Sequence, residues 1–346
     1  MNLISRDITI KLILIMSNIK KHKVNLNDVA KAAGVSRAAA GKVLNNCNGA
    51  IRVSLETKKR IEEAAKKLNY HTNIAAQILA GGQSKLIGVL TDTQCNYSYT
   101  RLMQELENIA FQKHYRLIAS CTHDNILDMK ENYYAMQRYG VVGVICLAHD
   151  YPTFRPEVEK LFSNVEDVVF MGKPKFPVNK YVVSCNKNAL IQLFAHWKSI
   201  GRKKIALACG NTQYISESNL VENYKTALKV NNLDFDAKLL ASYHLQHDVL
   251  EDCQQVITNV IEKYQPDAIF IDDAQHAICM QNLLQYRNWK IPEDLIIHGG
   301  NGDLSFNYIY PPIKSFDPCY EKIATKLIDA VLNLEIKCNE VIETIY

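Results

Sequence analysis

Residues 36–45, SRAAAGKVLN, carry cations, an amide and small side chains at helical spacing. A helix over this stretch places Arg37, Ala38, Lys42 and Asn45 on one exposed face. Arginine can donate two hydrogen bonds to a guanine edge, and alanine methyl groups can contact thymine methyl groups. This combination of side chains suits a helix that lies deep in the major groove of DNA.

The residues before this helix predict that it is the second helix of a helix-turn-helix. Residues 28–33 form a short helix with a small-residue face. Gly34 then provides a sharp turn, because glycine adopts a positive φ at little cost. Val35 fills the corner, and Ser36 is a natural N-cap for the helix that follows.

The inward face of the second helix is predicted from spacing. Ala40, Val43 and Leu44 fall at i, i+3 and i+4, which leaves Gly41 and the polar residues outside. An ordinary helical pair with a solvated charged stripe has the same spacing. From spacing alone both interpretations remain open.

The stretch from residue 24 to residue 83 resembles the DNA-binding headpiece of the LacI/GalR family of bacterial transcriptional regulators. The matching residues occur in order over about sixty positions. They are Asp28-Val29-Ala30, Ala33-Gly34-Val35-Ser36, Lys42-Val43-Leu44-Asn45, Val53-Ser54, Thr57, Leu68-Asn69-Tyr70, Asn73 and residues 77–83.

The resemblance implies a set of DNA-binding residues. Arg37 would contact a base edge, Ala38 and Ala39 would make apolar contacts, and Lys42 and Asn45 would contact bases or phosphates. The full set expected at the DNA is Ser36, Arg37, Ala38, Ala39, Lys42, Asn45, Ser54, Thr57, Tyr70, Asn73, Ala76 and Leu79.

Residues 73–80, NIAAQILA, correspond to the hinge helix of the family. The resemblance implies that two copies of this helix, one from each subunit, enter the minor groove and insert Leu79 into the central base step. Packing of Leu79 against the rest of the chain is the alternative. Thr72 stands where the family usually has proline, so we expect a less rigid entry to the hinge.

Charge is distributed unevenly along the 346 residues. Residues 20–85 carry 13 lysines and arginines against four acidic residues, a net charge of +9, whereas residues 86–346 carry 25 against 31, a net charge of −6. A small basic module joined to a mildly acidic body suits a polyanion-binding protein with a separate sensing domain. A chance cluster of surface lysines is the alternative.

The ten cysteines occur singly, without the spacing of a disulfide framework or a zinc site. We therefore expect reduced thiols in a cytoplasmic, nucleoid-associated protein that needs no cofactor or metal. Residues 1–23 lie outside the motif and are expected to be a loose extension or an incorrectly assigned start. Their apolar run, residues 8–16, is too short to span a bilayer.

From Lys85 onward, short apolar runs alternate with amphipathic stretches. The runs predict strands at 86–92, 115–121, 141–148, 167–172, 203–209, 267–272 and 294–300, with helices among the intervening segments at 101–113, 187–199, 218–230 and 248–264. Alternating β and α units predict doubly wound parallel sheets. Their length predicts two lobes, and the resemblance implies a periplasmic-binding-protein-like effector domain.

The predicted organisation is therefore an all-α headpiece followed by an α/β domain. We expect the headpiece at 24–71, a hinge and linker at 72–84, and a two-lobed effector-binding and dimerisation domain at 85–346. No leucine heptad follows Ile336, so a homodimer is expected.

Ligands of doubly wound sheets bind at the carboxyl ends of strands. The residues expected there are Asp92, Tyr97, Tyr99, Lys173, Asp273 with its neighbour Asp272, and Asn301. Aromatic and carboxylate or amide side chains suit a sugar. Each of these polar residues could instead cap a helix. Asn301 stands where the family usually has aspartate, and Cys185 likewise stands where the family usually has aspartate before Asn186. Two alternatives therefore remain open: an unusual ligand, or no small ligand at all.

No phosphate-binding loop, nucleophile elbow, zinc-protease motif or paired-carboxylate motif is present in the sequence, so we expect no enzyme activity. The expected function is sequence-specific binding of a pseudo-palindromic operator as a repressor, controlled by a carbohydrate or related metabolite. A sugar sensor with weak or nonspecific DNA binding is the alternative, as is a nonspecific nucleoid protein.

Overall fold

The computed structural model describes residues 24–45, 53–71, 84–91, 97–122, 125–148, 155–163, 165–210, 220–243, 248–333 and 338–346. Contacts within the chain divide it into two compact units, Met1–Ser84 and Lys85–Tyr346.

Three helices form the described part of the first unit, which we call the headpiece: α1 (Leu26–Ala33), α2 (Arg37–Asn45) and α3 (Leu55–Lys67). Their small core contains Val29, Ala30, Ala40 and Ile61, each at most 4% exposed. Small alanine side chains let these short helices approach closely. The predicted helix-turn-helix and third helix are confirmed.

The second unit alternates strands and helices along the chain. Its strands are β1 (Leu86–Thr91), β2 (Arg116–Cys121), β3 (Val144–Cys146), β4 (Val168–Met171), β5 (Lys180–Cys185), β6 (Ile205–Gly210), β7 (Leu240–Tyr243), β8 (Ala268–Ile271), β9 (Ile296–Asn301), β10 (Lys314–Phe316) and β11 (Cys338–Glu343). Its helices are α4 (Tyr97–Gln112), α5 (Ile126–Arg138), α6 (Arg155–Phe162), α7 (Lys187–Ser199), α8 (Leu220–Val230), α9 (Val249–Val256), α10 (Ala274–Tyr286) and α11 (Tyr320–Leu332).

These strands form two parallel sheets. The first has the order β11-β5-β4-β3-β1-β2 and the second the order β10-β9-β8-β6-β7. Apolar clusters cover both faces of each sheet: α4 and α11 pack on one face of the first sheet and α5 and α6 on the other, while α7 and α8 face α9 and α10 across the second. Burial on both faces explains the continuous apolar runs of the central strands. The prediction of two doubly wound lobes is confirmed, and we call them the first and second lobe.

Three chain segments pass between the lobes and are hydrogen-bonded to one another. Thr344 N donates to Cys185 O at 2.9 Å, and Asp317 exchanges two backbone hydrogen bonds with Ile345 at 2.9 and 2.8 Å. The hydroxyl groups of Ser184 and Thr344 lie 3.2 Å apart. The lobes are therefore joined by three hydrogen-bonded segments.

The structure differs from the strand prediction in several places. The predicted strand at 141–148 has only three paired residues, Val144–Cys146, and β5, β7, β10 and β11 were not predicted. β10 has three residues, and β11 lies at a sheet edge with an alternating half-exposed pattern. Short or edge strands lack the long apolar run that marks a central strand. The stretch 248–264 is helical as predicted, with a π-helical turn at Ile257–Ile261.

Candidate nucleic-acid interface and effector cleft

The turn between α1 and α2 is fixed by local hydrogen bonds. A capping box begins α1, since Asp28 Oδ2 accepts from Asn25 N at 2.9 Å and Asn25 Oδ1 accepts from Asn27 N at 2.9 Å. Gly34 ends α1 with φ of 62°. Ser36 Oγ accepts from Ala39 N at 3.2 Å and so caps α2, as predicted.

The outer face of α2 presents the predicted contact residues. Arg37 and Ala38 are exposed, while Ala39 and Lys42 are half-buried. Ala40 is fully buried, and Val43 and Leu44 pack beside it against the headpiece core, so the inward face is the predicted one. Asn45 ends α2, but its side chain lies outside the described residues. The helix thus exposes a cation and a small side chain side by side.

Ser54 and Thr57 form the N-cap of α3. Ser54 Oγ accepts from Thr57 N at 3.2 Å and donates to Thr57 Oγ1 at 2.9 Å. Both hydroxyl groups therefore have a capping role beside their predicted contact with DNA. Exposed cations follow along this helix, at Lys58, Lys59, Arg60, Lys66 and Lys67.

Tyr70 closes the headpiece. Asn69 takes a left-handed conformation with φ of 49°, and Tyr70 N donates to Ala65 O at 2.9 Å, which completes the C-terminal cap of α3. The half-buried Tyr70 packs against the headpiece core. The predicted hinge residues Asn73, Ala76 and Leu79 lie outside the described residues.

In the first lobe, the predicted effector residues lie on segments at the carboxyl ends of β1 and β4. Asp92 and the side chain of Tyr97 lie outside the described residues. Tyr99 is half-buried and packs against the core between the first sheet and α4, and Lys173 is exposed two residues after β4. Of the predicted first-lobe side chains, the structure therefore describes those of Tyr99 and Lys173.

In the second lobe, Asp272 and Asp273 belong to a polar network at the carboxyl end of the sheet. Tyr243 Oη donates to Asp272 Oδ1, and Gly210 N donates to Asp272 Oδ2 at 3.2 Å. Asp273 caps α10: its Oδ2 accepts from His276 N at 3.1 Å and lies 2.7 Å from His276 Nδ1.

His276 lies at the centre of this network. Its ring stacks on Tyr243 with ring centroids 3.8 Å apart, and its Nε2 lies 3.6 Å from Asp252 Oδ2. Tyr243, His276 and Asp252 were not predicted from sequence. The only signal for them is the three-residue spacing of Asp273 and His276 at the start of a helix.

Burial dominates the titration of Asp272. It raises the pKa of this carboxyl group to about 6, although the hydrogen bonds from Tyr243 and Gly210 act in the opposite direction. Burial also raises the pKa of Tyr243 well above its ordinary value, and Asp272 adds to this shift. The cleft edge of the second lobe therefore carries carboxylates that are already engaged, which limits how many can accept from a ligand.

Asn301 ends β9 and is exposed. A separate apolar groove of about 610 Å³ opens between α9, α10 and the turn at Leu304–Tyr308. It is lined by Leu250, Gln275, Ile278, Cys279, Asn282, Leu283 and Ser305. None of the predicted effector residues lines this groove.

Two features are absent from the described residues. Among them, no helix is both long and apolar enough to span a bilayer. The same residues contain no group of three or more histidine, cysteine, aspartate or glutamate side chains placed to hold a metal ion.

Comparison with known proteins gives two family matches. Residues 25–73 match the model of bacterial regulatory proteins of the lacI family, and residues 194–340 match a periplasmic binding protein-like domain. Catabolite control protein A of Staphylococcus epidermidis is 27% identical over 321 residues, which cover 90% of this chain and 93% of the relative. The sucrose operon repressor of Pediococcus pentosaceus is 24% identical over 333 residues, covering 94% and 96% of the two chains.

A solved structure shares the fold. The lac repressor dimer bound to operator and the anti-inducer ONPF superposes with a TM-score of 0.77 at 22% identity, covering 93% of this chain and 97% of that chain. The ribose operon repressor of Bacillus subtilis is 27% identical over 317 residues, covering 89% and 91% of the two chains.

Proposed function

Because the chain belongs to the lacI family of bacterial regulatory proteins, we propose that it is a transcriptional repressor whose operator affinity is set by a small ligand. The exposed face of α2 carries this proposal. On it Arg37 and Ala38 are held outward by a buried core that includes Ala40 and Ile61. That face can enter a major groove without any rearrangement of the headpiece.

We assign direct base contact to α2 and phosphate contact to α3. Arg37 has no hydrogen bond or ion pair with another described residue, so its guanidinium group is available for a guanine edge. The exposed cations of α3 supply contacts that set affinity and register without selecting sequence. The hinge residues Asn73, Ala76 and Leu79 are assigned to the minor groove by their match to the family.

The assembly is a homodimer on a pseudo-palindromic operator, with half-sites about one helical turn apart. The lac repressor dimer bound to operator supplies the fold on which this assignment is based. We place the protein in the cytoplasm, on the nucleoid, and assign it no catalytic activity, since its relatives act as regulators.

The ligand is a carbohydrate or a related metabolite. The names of the sucrose and ribose operon repressors support this class. Its candidate contacts are Asp92, Tyr97, Tyr99, Lys173, Asp273 and Asn301. A ligand held between the lobes would change the angle between them about the three hydrogen-bonded segments. It shifts operator affinity only to the extent that it binds one of the two lobe arrangements more tightly than the other.

Selection of bound sequences from a random duplex pool, with purified protein at physiological salt, tests the proposal. We expect a two-fold symmetric sequence with a flexible pyrimidine–purine step at its centre, where Leu79 would be inserted. Binding that depends steeply on salt but enriches no sequence would identify a nonspecific DNA-binding protein instead. Absence of DNA binding, with and without a panel of sugars, would contradict the proposal.

A further inference from the structure

The amino ends of β1 and β2 form an exposed cationic edge on the second unit. Lys85 directly precedes β1, and Arg116 begins β2. The two residues are joined by a backbone hydrogen bond from Arg116 N to Lys85 O at 2.8 Å. We call Lys85, Arg116 and the two aromatic residues beneath them, Tyr115 and Phe111, the basic edge.

Each cation of the basic edge lies over an aromatic ring. Lys85 Nζ is 4.7 Å from the ring centroid of Tyr115, and the guanidinium carbon of Arg116 is 4.6 Å from that of Phe111. Phe111 is 60% exposed, so the Arg116 guanidinium group over its ring lies at the surface. The rings restrict both cations before any partner binds, which lowers the entropy lost on binding.

Neither cation forms an ion pair with a carboxylate among the described residues. The adjacent Lys113, by contrast, pairs with Asp329 at 3.0 Å. His114, between Lys113 and Tyr115 in the chain, is also exposed. The basic edge is therefore a local concentration of uncompensated positive charge, on a part of the chain whose net charge from residue 86 onward is −6.

The position of Lys85 in the chain limits its distance from the DNA-binding residues. It follows Leu79 by six residues and His71 by 14. An extended chain spans at most about 3.6 Å per residue, so Lys85 lies within roughly 22 Å of Leu79 and roughly 50 Å of His71. The short connection therefore limits how far the basic edge can lie from the residues that the proposed function assigns to DNA.

We propose that the basic edge binds backbone phosphates of the DNA held by the headpiece, so that the effector-binding unit contributes directly to operator affinity. This inference rests on the proposed function. The Arg116 guanidinium group can bind a phosphate through two parallel hydrogen bonds, and the Lys85 ammonium group acts as a point charge. Both contacts raise affinity for any DNA sequence, because phosphates carry no base identity.

The test compares the salt dependence of DNA binding by the full-length protein and by a Lys85→Gln, Arg116→Gln double variant. Dissociation constants are measured by fluorescence anisotropy on the selected operator and on a scrambled duplex. Each lost phosphate contact reduces the slope of log K against log salt by about 0.9. The homodimer loses two contacts in each subunit, so we expect a reduction of about 3.6 on the operator. At about 0.15 M salt this corresponds to a roughly 100- to 1,000-fold loss of affinity.

A matched control is available in the second lobe. Lys238 and Lys263 both lie over the ring of Tyr264, at 5.9 and 5.3 Å, so the same chemistry occurs on another part of the molecule. The Lys238→Gln, Lys263→Gln variant removes the same charge and should leave the slope unchanged. An equal change in both double variants would mean that only net charge matters, and it would overturn the proposal.

Two further outcomes would refute the proposal that the basic edge binds DNA phosphates. An unchanged slope in the Lys85, Arg116 variant, with normal thermal unfolding, would refute phosphate contact while leaving the proposed function intact. A weaker dimer in sedimentation, again with an unchanged slope, would assign these residues to subunit contact. If the unmodified protein selects no operator, the proposed function itself fails, and the scrambled duplex still tests the basic edge.

Discussion

Acidification should weaken the second lobe through His298, a histidine of β9 that is only 3% exposed. Its Nδ1 lies 2.8 Å from Gly299 O, and its ring lies 4.6 Å from that of Phe316 and 5.9 Å from that of Phe270. Burial, with a smaller contribution from the positive charge of Lys314, lowers the pKa of His298 from 6.5 to about 4, although the hydrogen bond with Gly299 acts in the opposite direction. The folded lobe therefore holds a neutral imidazole.

The sign follows from the lowered pKa. Between pH 6.5 and 4 the unfolded chain binds a proton that the folded lobe does not bind, so the free energy of unfolding falls as the pH falls. Between about pH 7.5 and about pH 5, His298 lowers the free energy of unfolding by about 2 kcal/mol. This loss is complete only below pH 4.

Asp272 has the opposite effect. Its pKa is raised from 3.8 to about 6, so between these values the folded lobe binds a proton that the unfolded chain does not bind. Over the same acidification the free energy of unfolding gains about 1 kcal/mol. In the unmodified protein, Asp272 therefore offsets about half of the loss caused by His298, and each effect becomes visible when the other group is removed.

Urea unfolding at about pH 7.5 and pH 5 measures both effects. The only two tryptophans, Trp197 and Trp289, belong to the apolar clusters of the second lobe, so their fluorescence reports on this lobe. The loss of free energy of unfolding between these pH values should be about 2 kcal/mol smaller in His298→Gln than in the unmodified protein. In Asp272→Asn it should be about 1 kcal/mol larger. If the free energy of unfolding changes by the same amount in all three proteins between the two pH values, the assignment of these pKa shifts to His298 and Asp272 is wrong.

Three further predictions concern the headpiece. Arg37→Ala should leave stability within about 0.5 kcal/mol and reduce operator affinity by about 1–3 kcal/mol at one base pair, measured by anisotropy on singly substituted operators; an equal loss on every sequence would make Arg37 a phosphate contact. Ile61→Ala removes a fully buried side chain and should cost about 2–5 kcal/mol, seen as lost hydrogen-exchange protection in α1 to α3 but not in the second unit; retained headpiece protection would contradict this. Gly34→Ala places a Cβ in open space at φ of 62°, so its cost is backbone strain of about 1–2 kcal/mol, whereas Gly34→Asn should cost less; equal losses in thermal unfolding would refute strain as the cause.

Much of the headpiece could be predicted from the sequence because its structure depends on short-range spacing. Gly34, the Ser36 cap and the inward residues Ala40, Val43 and Leu44 lie within eleven positions, and each acts on neighbours in the same turn or helix. The same reasoning located the α/β class of the second unit, since central strands buried on both faces need continuous apolar runs. It missed β7, β10 and β11, which are short or lie at sheet edges, and β5, of which only two of six residues are buried.

The polar and charged clusters of the second unit were decided only by tertiary structure. The network around Asp272 joins Gly210, Tyr243, Asp252 and His276, whose spacing along the chain carries no pattern. The basic edge likewise joins Lys85 to Arg116, which are neighbours only because β1 pairs in parallel with β2. Sequence spacing fixes contacts within one helix or turn, whereas strand order and register decide which distant residues meet, and these depend on the packing of the whole lobe.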